Sequence, residues 1–213
     1  MIDPLIAEYA EKCTSPVDAV LRELERETHL KTLYPRMMAG PYQGKMLEMF
    51  SRMIRPVAIL EIGTFTGYSC ICLAKGLTES GRIHTIESEP EMVSMAEKYF
   101  QRAGIRKSVF QYNGDALGII PQMDVIFDLV FIDAAKDQYV DYYRLVFPKV
   151  RKGGFILADN TLWDGKALGK AGDADREAQG IIDFNNTVSE DPRVDNILLT
   201  VRDGVTVIRK TGE

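Results

Sequence analysis

Read as a string of apolar and polar positions, the chain changes its period near residue 57. Before that point apolar residues recur at helical spacing. Val17, Val20, Leu21 and Leu24 mark one amphipathic stretch, and Tyr42 to Met53 marks another that stops ahead of Pro56. Ser15-Pro16-Val17-Asp18 predicts the start of the first helix: a capping serine, a proline at the first helical position and an acidic first turn. From Val57 onward, short apolar runs alternate with amphipathic segments. The runs predict strands at 57–62, 82–87, 107–112, 127–132 and 153–158, and the segments between them predict helices at 67–77, 90–103, 138–147 and 174–189. Such alternation implies right-handed crossovers and a mostly parallel sheet with helices on both faces. The end of the chain differs. Strand patterns at 194–201 and 204–210 meet at Asp203-Gly204, a tight hairpin signal, so one late strand is expected to run antiparallel. The expected architecture is α/β: a seven-stranded sheet closed by a C-terminal antiparallel hairpin and preceded by helices. No linker or repeat interrupts it, so 1–213 reads as a single domain, with a helical lobe at 1–55 and a sheet core at 56–213.

Composition narrows the function classes. A chain of 213 residues, 46% apolar and 27% charged, is long enough to bury a sizeable core. Its net charge of −5 argues against nucleic acid or an anionic membrane surface as a general partner. No apolar run approaches the ~20 residues that span a bilayer. Met1 to Lys12 carries Asp3, Glu8 and Glu11, unlike a signal peptide. Cys13, Cys70 and Cys72 suit neither a metal knuckle nor a disulfide framework, so a reducing, cytoplasmic setting is expected.

The candidate chemistry begins at Glu61-Ile-Gly-Thr-Phe-Thr-Gly-Tyr-Ser69, where the first predicted strand turns into a helix. Glycines there let a ligand approach bare backbone. The spacing, however, is G-x-x-x-G, not the G-x-G-x-x-G that seats a pyrophosphate. Glu61 adds negative charge that suits a cationic ligand or an amino group, which favours S-adenosylmethionine over NAD. Each later strand also ends at or beside an acid: Glu87, Asp115, Asp133 and Asp159. Ligands of open α/β sheets sit beyond these strand ends. Glu87 suits the ribose hydroxyls, with a helix-start acid before Pro90 as the plainer reading. Asn113-Gly114-Asp115-Ala116 suits the adenine edge, or is a simple Asn-Gly turn. Ser69 suits the methionine carboxylate, or is a helix-start hydroxyl.

Two further clusters point to the reaction. Asp133-Ala134-Ala135-Lys136 ends the fourth strand and Asp159-Asn160 ends the fifth. Asp133, Asp159 and Asn160 offer only oxygen, which suits a hard cation such as Mg²⁺, Ca²⁺ or Mn²⁺. Zinc is disfavoured, because His29 and His84 lie elsewhere. Lys136 is the candidate base, its pKa expected to fall beside a divalent cation. The glycine-rich stretch from Trp163 to Glu177 is expected to lid the pocket at these strand ends, or is a plain surface loop. Phe184 reads as core, and Tyr139, Tyr142 and Tyr143 as packing.

Together these residues resemble the cation-dependent catechol and caffeoyl-CoA O-methyltransferase family, closest to its small bacterial members. The resemblance runs from about Leu33 to Lys210. It rests on Gly40-Pro41-Tyr42-Gln43-Gly44, the Glu61 to Gly67 loop, Asp133-Ala-Ala-Lys136, Ala158-Asp-Asn-Thr-Leu-Trp163 and Asp203-Gly204. It implies a Rossmann-like class I methyltransferase fold, S-adenosylmethionine as methyl donor, and one divalent cation on Asp133, Asp159 and Asn160. It further assigns Met37, Ala39, Glu61, Gly63, Ser69, Glu87, Asp115, Ala116 and Asp133 to the methyl donor, and Lys136 with Asp133 to catalysis. Trp163 and Asn185 are the candidates for acceptor contact, Asn185 reading equally as a helix-face residue. Ala135 stands where catechol-type members carry tryptophan, whereas Trp163 and Phe184-Asn185 match the caffeoyl-CoA branch. The implied acceptor is a small aromatic with vicinal hydroxyls, catechol-like or hydroxycinnamoyl, and the implied assembly is a homodimer. The competing readings are an NAD(P)-binding oxidoreductase and a non-catalytic S-adenosylmethionine-binding dimer.

Overall fold

The early helical spacing folds into α1 (Pro4–Lys12), α2 (Ala19–Lys31) and α3 (Gly40–Ile54), in a computed structural model that describes residues 4–169 and 175–213. The start of α2 differs from expectation. It begins at Ala19 with Asp18 as its N-cap, and the Asp18 side chain makes no capping bond. That carboxylate instead pairs with Lys75 Nζ at 2.6 Å, so an ion pair far along the chain claims the side chain expected to serve the first turn. Helix α3 carries a proline in its first turn and ends where Arg55 turns left-handed (φ 53°), just ahead of Pro56.

The alternating pattern then gives β1 (Ala58–Ile62), α4 (Tyr68–Ala74), β2 (Arg82–Glu87), α5 (Pro90–Arg102), β3 (Val109–Asn113), α6 (Ala116–Ile119), β4 (Phe127–Ile132), α7 (Tyr139–Val146), β5 (Val150–Asp159), α8 (Arg176–Ser189), β6 (Val194–Leu199) and β7 (Val205–Lys210). The seven-stranded sheet has the order β3-β2-β1-β4-β5-β7-β6. Strands β1, β2 and β3 pair in parallel, as do β4 and β5, while β7 runs antiparallel to both β5 and β6. The mostly parallel sheet with a terminal hairpin is therefore the fold observed. Strand β5 starts earlier than its apolar run suggests, because residues from Val150 onward already lie in the strand.

The described residues form two compact units, one up to Asp115 and one from Ala116 onward. In the first, Leu21, Leu24, Leu47, Ile59, Leu60 and Ile83 are wholly buried. A buried ion cluster there centres on Glu48, which receives Lys45 (2.8 Å), Arg52 (3.0 Å) and Lys75 (3.2 Å). Burial pushes that carboxyl up, yet the three cations outweigh it and hold it down at about 2. In the second unit, Phe127, Leu129, Phe131, Ile181 and Phe184 form the buried centre. Phe184 meets Tyr139 and Tyr143 edge-on, at centroid distances of 5.4 Å and 6.1 Å, so its expected core role is the one observed. All three cysteines are free thiols. No helix among the described residues is long and apolar enough to cross a membrane.

Candidate active site

In the first unit, the turn after β1 is fastened from beneath. Thr64 Oγ1 lies 2.5 Å from Thr85 Oγ1, which donates to Glu61 Oε2 at 2.5 Å. Thr28 Oγ1 donates to Thr66 Oγ1 at 3.0 Å. The backbone is held from the end of β2. Gly63 and Thr64 donate their N–H groups to the Ile86 carbonyl (3.0 and 3.2 Å), and Phe65 N–H donates to Glu87 Oε2 (2.5 Å). Glu61 was expected to present its charge at the loop, but it has no accessible surface. Its charge acts inward instead, joining burial in pushing the Cys70 thiol up.

Glu87 serves two loops at once, since its other carboxylate oxygen accepts Glu89 N–H (2.9 Å) ahead of α5. The helix-start role is thus present, and carboxylate oxygens retain lone pairs for further donors. The backbone carbonyl of Glu87 accepts both Asn113 Nδ2 (3.1 Å) and Gly114 N–H (2.8 Å), which sets the turn carrying the exposed Asp115. Gly63 and Gly67 have φ of 99° and 92°. Ser69, in the first turn of α4, is 8% exposed. Met37 is exposed on the turn before α3, Ala39 is buried at its start, and Ala116 is buried at the start of α6.

In the second unit, the register pairs Ile132 of β4 with Ala158 of β5, so Asp133 and Asp159 are the next positions on neighbouring parallel strands. Adjacent strands lie about 4.8 Å apart. Lys136, in the turn before α7, is 6% exposed. Its Nζ donates to Asp133 Oδ1 and to the Tyr139 hydroxyl, each at 2.8 Å. The Tyr139 hydroxyl in turn lies 3.1 Å from the Asp159 carbonyl oxygen and 3.3 Å from that of Ile132. One buried phenol thereby ties the lysine to the tips of both strands. Burial pulls the Lys136 pKa down, but Asp133 and Tyr139 outweigh it, and the net direction is upward. With these partners alone the side chain is an ammonium. Helix α8 packs closely against this turn: a Cβ at Gly180 would lie 2.5 Å from the Lys136 carbonyl oxygen.

The Asp159 carboxylate is nearly buried and accepts the N–H of Asn160 at 2.9 Å. Asn160, Trp163 and Asp164 then all adopt left-handed backbone, with φ of 57°, 48° and 51°. The Trp163 ring faces Lys136 Nζ at 5.9 Å. From α8, Asn185 donates Nδ2 to the Thr161 carbonyl at 2.8 Å. Trp163 Nε1 and Asn185 Oδ1 are both buried with no hydrogen-bond partner. Both atoms are exceptions to the rule that buried polar groups find a partner. Residues 170–174 of the stretch expected to cover the pocket lie outside the described residues. Asp175, which follows them, caps α8 by accepting Ala178 N–H and pairs with Lys166.

The oxygen-only set of Asp133, Asp159 and Asn160 fits a hard divalent cation. No group of three or more His, Cys, Asp or Glu side chains among the described residues forms a metal cluster, and the third residue of this set is an amide, which such a group does not include. Sequence reasoning missed Tyr139, read as packing, although its place three residues after Lys136 puts it within reach of the ammonium. It also read Asp203 only as a turn residue.

A family model described as O-methyltransferase matches residues 11–211. The chain is 35% identical over 169 residues to a catechol O-methyltransferase of Niastella koreensis, covering 78% of this chain and 76% of that protein. It is 30% identical over 201 residues to caffeoyl-CoA O-methyltransferase 2 of Populus trichocarpa, covering 89% and 81%. The O-methyltransferase TomG of Streptomyces achromogenes, solved in complex with SAM, superposes with a TM-score of 0.90 at 30% identity, covering 97% of this chain and 96% of that one.

Proposed function

We propose, from the premise that this chain belongs to the O-methyltransferase family, that it moves the methyl group of S-adenosylmethionine onto one hydroxyl of a vicinal-diol aromatic. The acceptor is catechol-like or hydroxycinnamoyl, and a divalent cation assists. The observation that carries this reading is the placement of Lys136 between Asp133 and Tyr139 at the tips of β4 and β5. The solved relative that binds SAM supports the choice of methyl donor. In the first unit, Glu87 is assigned to the ribose hydroxyls, Asp115 to the adenine edge and Ser69 to the methionine carboxylate. The bare backbone at Gly63 lets the ligand approach, and Glu61 acts from beneath the loop. Met37, Ala39, Ala116 and Asp133 remain assigned to the methyl donor as well.

A divalent cation on Asp133, Asp159 and Asn160 would lower the pKa of the acceptor hydroxyl and weaken the grip of Asp133 on the lysine proton. Lys136 Nζ is the group that takes the hydroxyl proton. Tyr139 keeps Nζ at the strand tips in either charge state, because a phenol accepts from an ammonium and donates to an amine. Trp163 and Asn185 orient the acceptor through their open N–H and C=O groups. Holding both reactants in line accounts for up to ~7–11 kcal/mol of the barrier. The charges of phenolate and sulfonium cancel as the methyl moves, so excluding water carries no penalty.

Methyl transfer from labelled S-adenosylmethionine to a panel of catechols and hydroxycinnamoyl-CoA esters tests the reading. Turnover is expected to vanish on chelation and return with Mg²⁺, and chelator-resistant turnover of the same acceptor overturns the metal role. The cytoplasmic homodimer expected from sequence belongs to this proposal too. Its support is the exposure of three large apolar side chains close in sequence, Leu30, Leu33 and Tyr34, 73%, 91% and 70% accessible. Light scattering tests the dimer.

A further inference from the structure

We infer that Thr28, near the end of α2, is a positioning residue that holds the loop at 63–67 in the shape S-adenosylmethionine meets, and so sets the affinity for the methyl donor. The inference rests on the assignment of that loop to the donor.

Thr28 and Thr66 are both wholly buried, 38 residues apart in the chain, and the Thr28 hydroxyl donates to the Thr66 hydroxyl at 3.0 Å. The residue before Thr28 anchors this part of α2. Glu27 accepts Lys98 Nζ (2.5 Å) and the Tyr99 hydroxyl (2.6 Å), both from α5. The next residue of α5, Phe100, packs against the loop itself: a Cβ at Gly67 would lie 2.8 Å from its Cε1. The helices joined at Glu27 thus both reach the loop, α5 by packing and α2 by a hydrogen bond.

Thr66 stands between Phe65 and Gly67, whose φ are 47° and 92°. Left-handed backbone at Phe65 costs energy and persists only where its surroundings fix it. Thr66 has no accessible surface, so water does not take the place of the Thr28 hydroxyl once it is removed. A loop that samples other shapes binds its ligand only through the competent fraction, and the apparent dissociation constant rises accordingly. A bond that serves the fold alone behaves differently. It is lost equally from free and ligand-bound protein, so it cancels from the affinity.

Calorimetric titration of the full chain with S-adenosylhomocysteine tests this without turnover. Thr28→Val keeps the side-chain shape and deletes the hydroxyl. It should weaken binding about 2–10-fold, the weight of one neutral hydrogen bond. Thr28→Ser keeps the hydroxyl and should bind nearer to the parent. In a Thr66→Val background, Thr28→Val is expected to cost nothing further, because the two hydroxyls act as one pair. Thr32→Val removes the hydroxyl that donates to the Thr28 carbonyl (2.8 Å) at the end of α2, and should retain parental affinity. Parental affinity in Thr28→Val overturns the inference, as does an equal loss in Thr28→Ser or Thr32→Val. An undiminished loss in the Thr66→Val background overturns it too. If Thr28→Val does not fold, parental affinity in Thr66→Val overturns it. A parent protein that binds no S-adenosylhomocysteine overturns the donor reading and this inference together, whereas the variants bear on the inference alone.

Discussion

The two strand-end loops, 63–67 after β1 and 160–164 after β5, differ in what ties them down. In the first, side chains and backbone are both held: Thr64 to Thr85, Thr66 to Thr28, and the N–H groups of Gly63, Thr64 and Phe65 to the end of β2. What stays partly exposed is the stretch at Gly63 and Phe65, both with positive φ. In the second, the backbone is tied down by the hairpin tip at Asp203 and Gly204. There Trp163 Nε1 has no hydrogen-bond partner and Asn160 is only half-buried. The contrast lies in what each hold leaves open: the first loop is fixed through side chains and backbone alike, and the second keeps an open indole N–H.

Substitutions that break one loop and spare the other sharpen this contrast. The largest effect is expected from Lys136→Ala, which should lower kcat ~10²–10⁴-fold by removing the proton acceptor. Affinity for S-adenosylhomocysteine, measured by calorimetry, should stay at the parental value. An unchanged methylation rate would remove Lys136 from the mechanism. Next, Glu87→Ala deletes the acceptor of Phe65 and Glu89 N–H. Hydrogen bonds to a charged group are worth about 1.5–3 kcal/mol, so S-adenosylhomocysteine binding should weaken ~10–100-fold while Mn²⁺ affinity holds.

A smaller effect is expected from Trp163→Phe, which keeps an aromatic ring and deletes an N–H that has no partner. Stability by urea unfolding should change by no more than about 0.5 kcal/mol, because no protein bond is lost. The KM for the acceptor should rise about 2–10-fold, the weight of one neutral hydrogen bond. A stability loss well beyond that range would show that the indole holds the loop and does not serve a ligand.

The smallest effect concerns the scaffold of the first unit. The Glu48 carboxyl is held at about 2, below its ordinary 4.5, so its stabilisation is present above pH 4.5 and is lost as pH falls from there toward 2. Its partner Arg52 is half exposed, and solvent screening limits the contribution to about 1 kcal/mol. The gap in unfolding free energy between the parent and Glu48→Gln should therefore be widest near neutral pH and narrow near pH 3.

Much of this was legible before any coordinates. The bounds of β2 and β4 match their apolar runs residue for residue, and the acids at the strand ends stand where the pattern places them. The turn at Asp203-Gly204 joins two antiparallel strands as its residue types require. Such features depend on a period of two or 3.6 residues and on turn chemistry, both of which are written within a few neighbouring positions. The side-chain partnerships were not legible. Asp18 reads as a first-turn acid and pairs with Lys75. Tyr139 reads as packing and holds Lys136. Glu61 reads as a charge presented at the loop and has no accessible surface.

The order of elements, their boundaries and the row of acids thus belong to the amino-acid sequence alone, because local backbone preference and hydrophobic period act over short separations. Which oxygen accepts which proton was decided by the tertiary structure. Asp164 and Asp203 lie far apart along the chain, and only the return of β7 alongside β5 brings the Asp164 N–H to the Asp203 carboxylate.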